Sequence, residues 1–237
     1  MGSNPASPTM CGRVVAANSA AELAAVFEAS PPDHELPLRY NIAPTSDIYG
    51  IVGGAERAIE IFRWGLVPSW VDSPSIGSKM INARAETLAE KRSFAPLLRS
   101  RRLLVPMTGF YEWRRSADRG QRPQPFFIHR ADGTPLAAAG LWTTWRDGSA
   151  GDAAPVLHTC TIITTAANAT MSAVHDRMPA VLERDDWQLW LDPEVGDPAD
   201  VLPLLIPAAE GILEMRAVSA DVNSVRNDRP DLINPCP

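Results

Sequence analysis

The chain has 237 residues, 45% of them hydrophobic, a net charge of −6 and three cysteines. That length and apolar content support one well-buried core, or at most two small ones. No apolar run approaches the roughly 20 residues of a membrane helix, Met1 to Thr9 lacks the basic and apolar parts of a secretory signal, and Cys11, Cys160 and Cys236 show no zinc spacing. The expectation is a soluble, non-secreted protein in a reducing compartment, with no membrane partner, no cofactor and no structural metal.

Met10-Cys11-Gly12-Arg13 is the first informative stretch. If translation starts at Met10, or the first ten residues are removed, Cys11 becomes N-terminal and carries a 1,2-aminothiol. Its amine can condense with an aldehyde to an imine, and its thiol can close a five-membered thiazolidine on the same carbon. Taken alone, the four residues read more readily as a small buried cysteine near a start codon. Residues 1–9 are expected to be disordered or absent from the mature protein, ahead of one domain over 10–237.

Ser19-x-x-Glu22 is a capping box, and Leu23, Val26 and Phe27 give the segment after it an apolar helical face, ended by a proline-rich loop. Short apolar or alternating runs at 47–52, 58–64, 102–113, 125–130, 136–142, 156–165 and 213–218 predict strands. Helical patterns cover 85–99, 168–173, 185–191 and 198–205. Strands in runs without regular helix alternation predict an α+β fold, a single domain built on a curved, barrel-like, mainly antiparallel sheet with flanking helices.

Charge is uneven along the chain. Residues 79–130 hold 12 Lys+Arg against 4 Asp+Glu, a local balance of +8, which leaves −14 for the rest. Trp64, Trp70, Phe110, Tyr111 and Trp113 lie in or just before this basic stretch. Cations interleaved with aromatics suit single-stranded nucleic acid, whose bases stack while its phosphates are neutralised; a solvated basic face is the plainer reading.

Three groups of polar residues stand where chemistry would want them. In Asn82-Ala83-Arg84 an extended chain points Asn82 and Arg84 to one side, although capping or turning the segment that follows is the commoner role for an Asn such as Asn82. In the strand through Thr108, Phe110 and Glu112, alternation places the Glu112 carboxylate in apolar company, where its pKa should rise toward neutrality and suit proton transfer. The alternative is a strand-end carboxylate reaching water. His175-Asp176-Arg177 puts an imidazole and a guanidinium at a turn into a strand; His34, His129 and His158 read as bystanders.

Met10–Arg13, Arg39–Thr45 (RYNIAPT), Arg63–Trp70 (RWGLVPSW), Asn82–Thr87 (NARAET), Gly109–Trp113 (GFYEW) and His175–Pro179 (HDRMP) together resemble the successive motifs of the SOS-response-associated peptidase family, in that family's order. The resemblance implies a DNA-repair protein that recognises abasic sites in single-stranded DNA and crosslinks itself to them through an N-terminal cysteine, with a β-rich, barrel-like fold. It implies Cys11 as the crosslinking residue, Asn82, Glu112 and His175 as the polar active-site residues, and Arg13, Arg84, Arg177, Trp64, Trp70 and Pro44 as DNA contacts. The expected setting is a monomer in the cytoplasm, associated with the nucleoid. Autoproteolytic removal of the extension by a cysteine peptidase, and non-enzymatic reading of modified DNA, stay open as alternatives. One departure is plain: nine residues precede Met10, where the family begins with the Met-Cys pair.

Overall fold

The computed structural model describes residues 11–116, 120–150 and 154–236. In chain order its elements are β1 (Val14–Ala16), α1 (Ala20–Phe27), β2 (Ala29–Ser30), β3 (Arg39–Ile42), β4 (Asp47–Val52), β5 (Arg57–Trp64), β6 (Asn82–Arg84), β7 (Arg102–Met107), β8 (Gly109–Arg114), β9 (Gln124–Arg130), β10 (Leu136–Trp145), β11 (Leu157–Ala166), α2 (Ala169–Ser172), β12 (Arg177–Pro179), α3 (Arg184–Leu191), α4 (Pro198–Val201) and β13 (Leu213–Ala217).

Two sheets carry the fold. The larger runs β12-β11-β10-β7-β4-β5-β2, and a parallel pairing of β11 with β5 (Thr159 beside Arg63, Cys160 beside Trp64) closes β11, β10, β7, β4 and β5 into a ring. The second sheet runs β13-β9-β8-β1-β3. The expected α+β architecture with a barrel-like, mainly antiparallel sheet is therefore present. Period-two alternation sorts the barrel strands: Leu103, Val105 and Met107 of β7 join one core with Phe62, Trp64 and Ile162, while Leu104 joins a second with Ile51, Ile163 and the helices. Burial on both faces explains why these strands read as nearly continuous apolar runs.

The outer core is covered by α1 and α3, whose Phe27 and Trp187 rings stack at 4.6 Å. The Ser19 box caps α1 from both sides, and Glu28 ends it in the left-handed region at φ 51. A buried guanidinium ties α3 to the barrel. Arg102 donates from Nε to the Trp190 carbonyl (2.5 Å), from Nη1 to those of Leu98 (2.6 Å) and Arg99 (2.8 Å), and from Nη2 to that of Asp192 (2.5 Å). These oxygens lie at the ends of short helical segments, where the backbone leaves carbonyls without partners.

Two expected elements differ. The helix over 85–99 is instead two 3-10 turns, Ala85–Thr87 and Leu97–Arg99, joined by irregular turns, because Pro96 offers no N–H and the segment follows the barrel surface. The run 102–113 is two strands in different sheets, changing sheet at Thr108. A backbone crossing closes the excursion between β5 and β6. A Cβ on Gly65 (φ +129) would lie 2.5 Å from the Gly77 carbonyl oxygen, and one on Gly77 2.7 Å from that of Gly65, so neither position has room for a side chain.

Candidate active site

Cys11 and Glu112 form the centre. The second sheet clamps β1 between β3 and β8: Val14 pairs with Ile42 on one side and Phe110 on the other, and the Tyr111 N–H donates to the Arg13 carbonyl at 2.9 Å. Cys11, just before β1, is fully buried and left-handed at φ 48, a conformation uncommon for a residue with a side chain. Its main-chain nitrogen donates to Glu112 Oε1 in a short hydrogen bond. Glu112 is 4% exposed, and burial pushes its carboxyl up to about 7; the negative charge of Asp176 adds to the rise, while the N–H groups of Cys11 and Trp113 pull against it. Burial also holds the Cys11 thiol well above its ordinary value, with the Glu112 charge acting the same way.

Asn82 and His175 flank strand β11 from opposite sides. β6 pairs in parallel with it, Asn82 beside Ile162, and β12 pairs antiparallel, Arg177 beside Ala166. His175 sits in the turn between α2 and β12, its N–H bonded to the Met171 carbonyl at 2.9 Å. Its Nδ1 accepts from the Arg177 N–H at 3.0 Å, which puts the proton of the neutral ring on Nε2. Asp176 Oδ1, 2.9 Å from the same Nδ1, becomes its ion-pair partner only when the ring is protonated. The influence of Asp176 on Glu112 brings this turn within electrostatic reach of the Cys11–Glu112 pair.

The expected DNA contacts separate by accessibility. Arg84 is exposed on β6, and its guanidinium makes no hydrogen bond to the described residues. Arg177 is held by Glu86 through two hydrogen bonds (2.5 and 2.8 Å) and donates to the Thr164 carbonyl at 2.7 Å. Arg13 donates to Asn41 Oδ1 (2.7 Å) and the Val222 carbonyl (2.9 Å), and lies over the Trp113 ring. Trp70 is 47% exposed with Arg92 stacked on it at 4.8 Å, the arrangement expected of a stacking platform. Pro44 is half-buried in the turn before β4. Trp64, in contrast, is 0% exposed, packed inside the barrel with its indole N–H on the Ile81 carbonyl (3.0 Å), and has no ring face to offer a base.

One structural hub went unassigned in the sequence. Asn41 is fully buried; its amide donates to the carbonyls of Val222 (3.2 Å), Ser224 (3.0 Å) and Asn227 (2.7 Å) while its oxygen accepts from Arg13. It straps the C-terminal segment onto the residues next to Cys11. The signal was a lone Asn inside the Arg39–Thr45 motif, with nothing in the sequence to show that its partners lie about 180 residues away. Among the described residues, no three His, Cys, Asp or Glu side chains cluster as a metal site, and no helix is long and apolar enough to cross a membrane.

Comparison with known proteins fits this arrangement. Residues 10–225 match the family model for SOS response associated peptidase (SRAP). The abasic site processing protein YoqW of Bacillus subtilis is 38% identical over 94% of this chain and 99% of its own length. YedK of Escherichia coli, also named as an abasic site processing protein, is 32% identical over 95% and 100%, and HMCES of Gallus gallus is 36% identical over 76% of this chain and 58% of its own length. A crystal structure of a Bacteroides thetaiotaomicron protein superposes with a TM-score of 0.83 at 27% identity, covering 95% of this chain and all of that one. The chain belongs to the SOS response associated peptidase family.

Proposed function

We propose that this protein recognises abasic sites in single-stranded DNA and captures them as a thiazolidine through Cys11, acting as a monomer without a cofactor, with residues 10–237 as the working unit. The observation that carries the reading is the main-chain nitrogen of Cys11 held against a buried carboxyl whose pKa is about 7. In a chain that begins at Cys11, that nitrogen is an α-amine, with an ordinary pKa near 8. A ring-opened abasic deoxyribose presents a C1′ aldehyde. The amine adds to it, Glu112 protonates the departing hydroxyl so that water leaves and the imine forms, and the thiol adds to the imine carbon as its proton passes to nitrogen. His175 assists opening of the sugar ring, Asn82 orients the sugar, Arg84 and Trp70 hold the flanking strand, and Arg13 and Arg177, each held by its protein partners, add positive charge beside it.

A cysteine peptidase acting on its own extension is the second reading. It requires a thiolate, and the raised pKa of the buried Cys11 thiol disfavours one at neutral pH. An amine that attacks first, with the thiol following, places no such demand. Incubation with single-stranded DNA carrying one abasic site, followed by a denaturing gel and intact mass, tests the proposal. The expected product is a heat-stable adduct with the mass of protein plus DNA minus one water; absence of any adduct from a chain that begins at Cys11 would overturn it.

A further inference from the structure

A cavity of about 270 Å³ opens beside the second sheet, between the end of β1 and the turn joining β3 to β4. Leu36, Ile42, Ile48 and Tyr49 supply its apolar wall, and Tyr49 is fixed there because its hydroxyl accepts the Leu36 N–H at 2.6 Å. The rim is polar. Asn18, Ser46 and Asp47 line it; Asn18 Oδ1 accepts from the Thr108 hydroxyl at 2.7 Å, which holds the amide in place, while its nitrogen, the Ser46 hydroxyl and the Asp47 carboxylate make no hydrogen bond to a described residue.

Charge at the cavity is close to balanced. Arg63 stands across the strand pair from Asp47, and Arg39 is paired with Asp228 at 2.8 Å. An anion would gain little here, whereas a neutral flat ring with both donors and acceptors on its edge matches the wall and the rim. The volume falls below the roughly 300–1,000 Å³ of pockets for drug-sized ligands, so the occupant is a single ring system and not a whole nucleotide with its phosphates.

Position supplies the identity. Thr45, on the rim, is a β-branched residue at φ 70, a strained conformation that its surroundings enforce: its N–H donates to the Trp64 carbonyl (2.8 Å) and its own carbonyl accepts from Arg63 Nε (3.1 Å). Trp64 in turn bonds Ile81, next to Asn82. From Cys11 to Ala16 on the cavity wall is five residues, at most about 17 Å of extended chain. The opening therefore lies within a few nucleotides' reach of a strand held at Cys11.

We propose that the cavity seats one nucleobase of the strand flanking the lesion, unstacked from its neighbours and read on its edge by Asn18, Ser46 and Asp47. The inference rests on the abasic-site reading above for the strand's presence.

The test uses single-stranded DNA bearing a tetrahydrofuran abasic analogue, which has no aldehyde and so separates binding from crosslinking. 2-Aminopurine is placed singly at each of the flanking positions. Expected is a several-fold rise in fluorescence at one position on binding, abolished in Ser46→Trp, which fills the cavity, with affinity on the order of tenfold weaker. Asp47→Ala, which leaves the volume intact, should erase a preference at that position for bases with an exocyclic amine over thymine. A uniform response along the strand, or a position-specific one that survives Ser46→Trp in a variant of unchanged melting temperature, overturns the proposal. A specific response in a protein that forms no adduct with aldehyde-bearing DNA supports the pocket while removing the covalent reading.

Discussion

The Cys11 nitrogen and the Glu112 carboxylate, 101 residues apart in sequence, meet through a direct hydrogen bond in a buried site. The bond joins the atom that would attack an aldehyde to the group that would move its protons. It also makes the pair sensitive to pH in a way that stability measurements can read.

The Glu112 carboxyl is raised from 4.5 to about 7 on folding. A raised folded-state pKa means the stabilising condition is the protonated one: full stability below about pH 4.5, falling as pH rises through 7. The shift corresponds to roughly 3 kcal/mol once both states are ionised. Glu112→Gln, which cannot ionise, should therefore unfold at higher denaturant than the wild type at pH 8 and match it at pH 4. The same variant should form adduct about 10²- to 10⁴-fold more slowly. Identical pH dependence of stability in both proteins would remove Glu112 from its role.

Thiazolidine formation needs amine and thiol on one residue. Cys11→Ala should form no heat-stable adduct, while Cys11→Ser should leave an imine trapped only by borohydride. The extension adds a condition, because an acylated Cys11 nitrogen is not nucleophilic. Intact mass of the full-length chain should show Cys11 exposed at the N-terminus in the crosslinking population. Full crosslinking by a chain that keeps Met1 to Met10 would end the aminothiol mechanism, and loss of the extension only when Cys11 is intact would establish self-cleavage.

Arg84 and Arg177 should behave differently. Arg84 makes no hydrogen bond to the described residues, so Arg84→Ala should flatten the dependence of log affinity on log salt by about 0.7, the increment for one phosphate on a single strand, with little change in melting temperature. Arg177 binds Glu86 and the Thr164 carbonyl, so Arg177→Ala should lower the melting temperature as well. Parallel salt plots for wild type and Arg84→Ala would place Arg84 outside the interface.

Arg102 gives a test of the fold alone. Arg102→Met keeps much of the volume and strands the carbonyls of Trp190, Leu98, Arg99 and Asp192, and should cost about 3–5 kcal/mol in urea denaturation. Arg102→Lys should recover only part of this, since an ammonium cannot span the same fork. A loss under about 1 kcal/mol for Arg102→Met would mean that water replaces the clamp.

Much of this was legible in the sequence where a signal was local. β4 was expected at its observed bounds, the Ser19 box caps its helix, and alternation placed Glu112 with Phe110 on one face. The extended reading of Asn82–Arg84 and the turn into a strand at His175–Arg177 match β6 and β12, whereas β1 and β3, three and four residues long, are too short to show a period and were not expected as strands. Trp64 looked like a stacking residue because sequence reports its basic neighbours and not the direction of its ring, which fills the barrel. Arg13 was expected as a DNA contact, and Arg102 counted only toward the charge of the basic stretch; that their guanidiniums bind backbone carbonyls depends on segments brought together only by folding.

The contact between Gly65 and Gly77 makes the intervening stretch a cassette. Because the two backbones touch, the ends of residues 66–76 are pinned whatever lies between them, and the Trp145 indole fastens the middle through the Val71 carbonyl at 2.8 Å. Residues 72–76 could thus be lengthened or exchanged without disturbing the barrel, while Trp70 keeps its place over Arg92. On the proposed reading, grafting at that point would change the contacts offered to a bound strand and leave the Cys11–Glu112 pair untouched, which makes it a port for redirecting recognition without rebuilding the site.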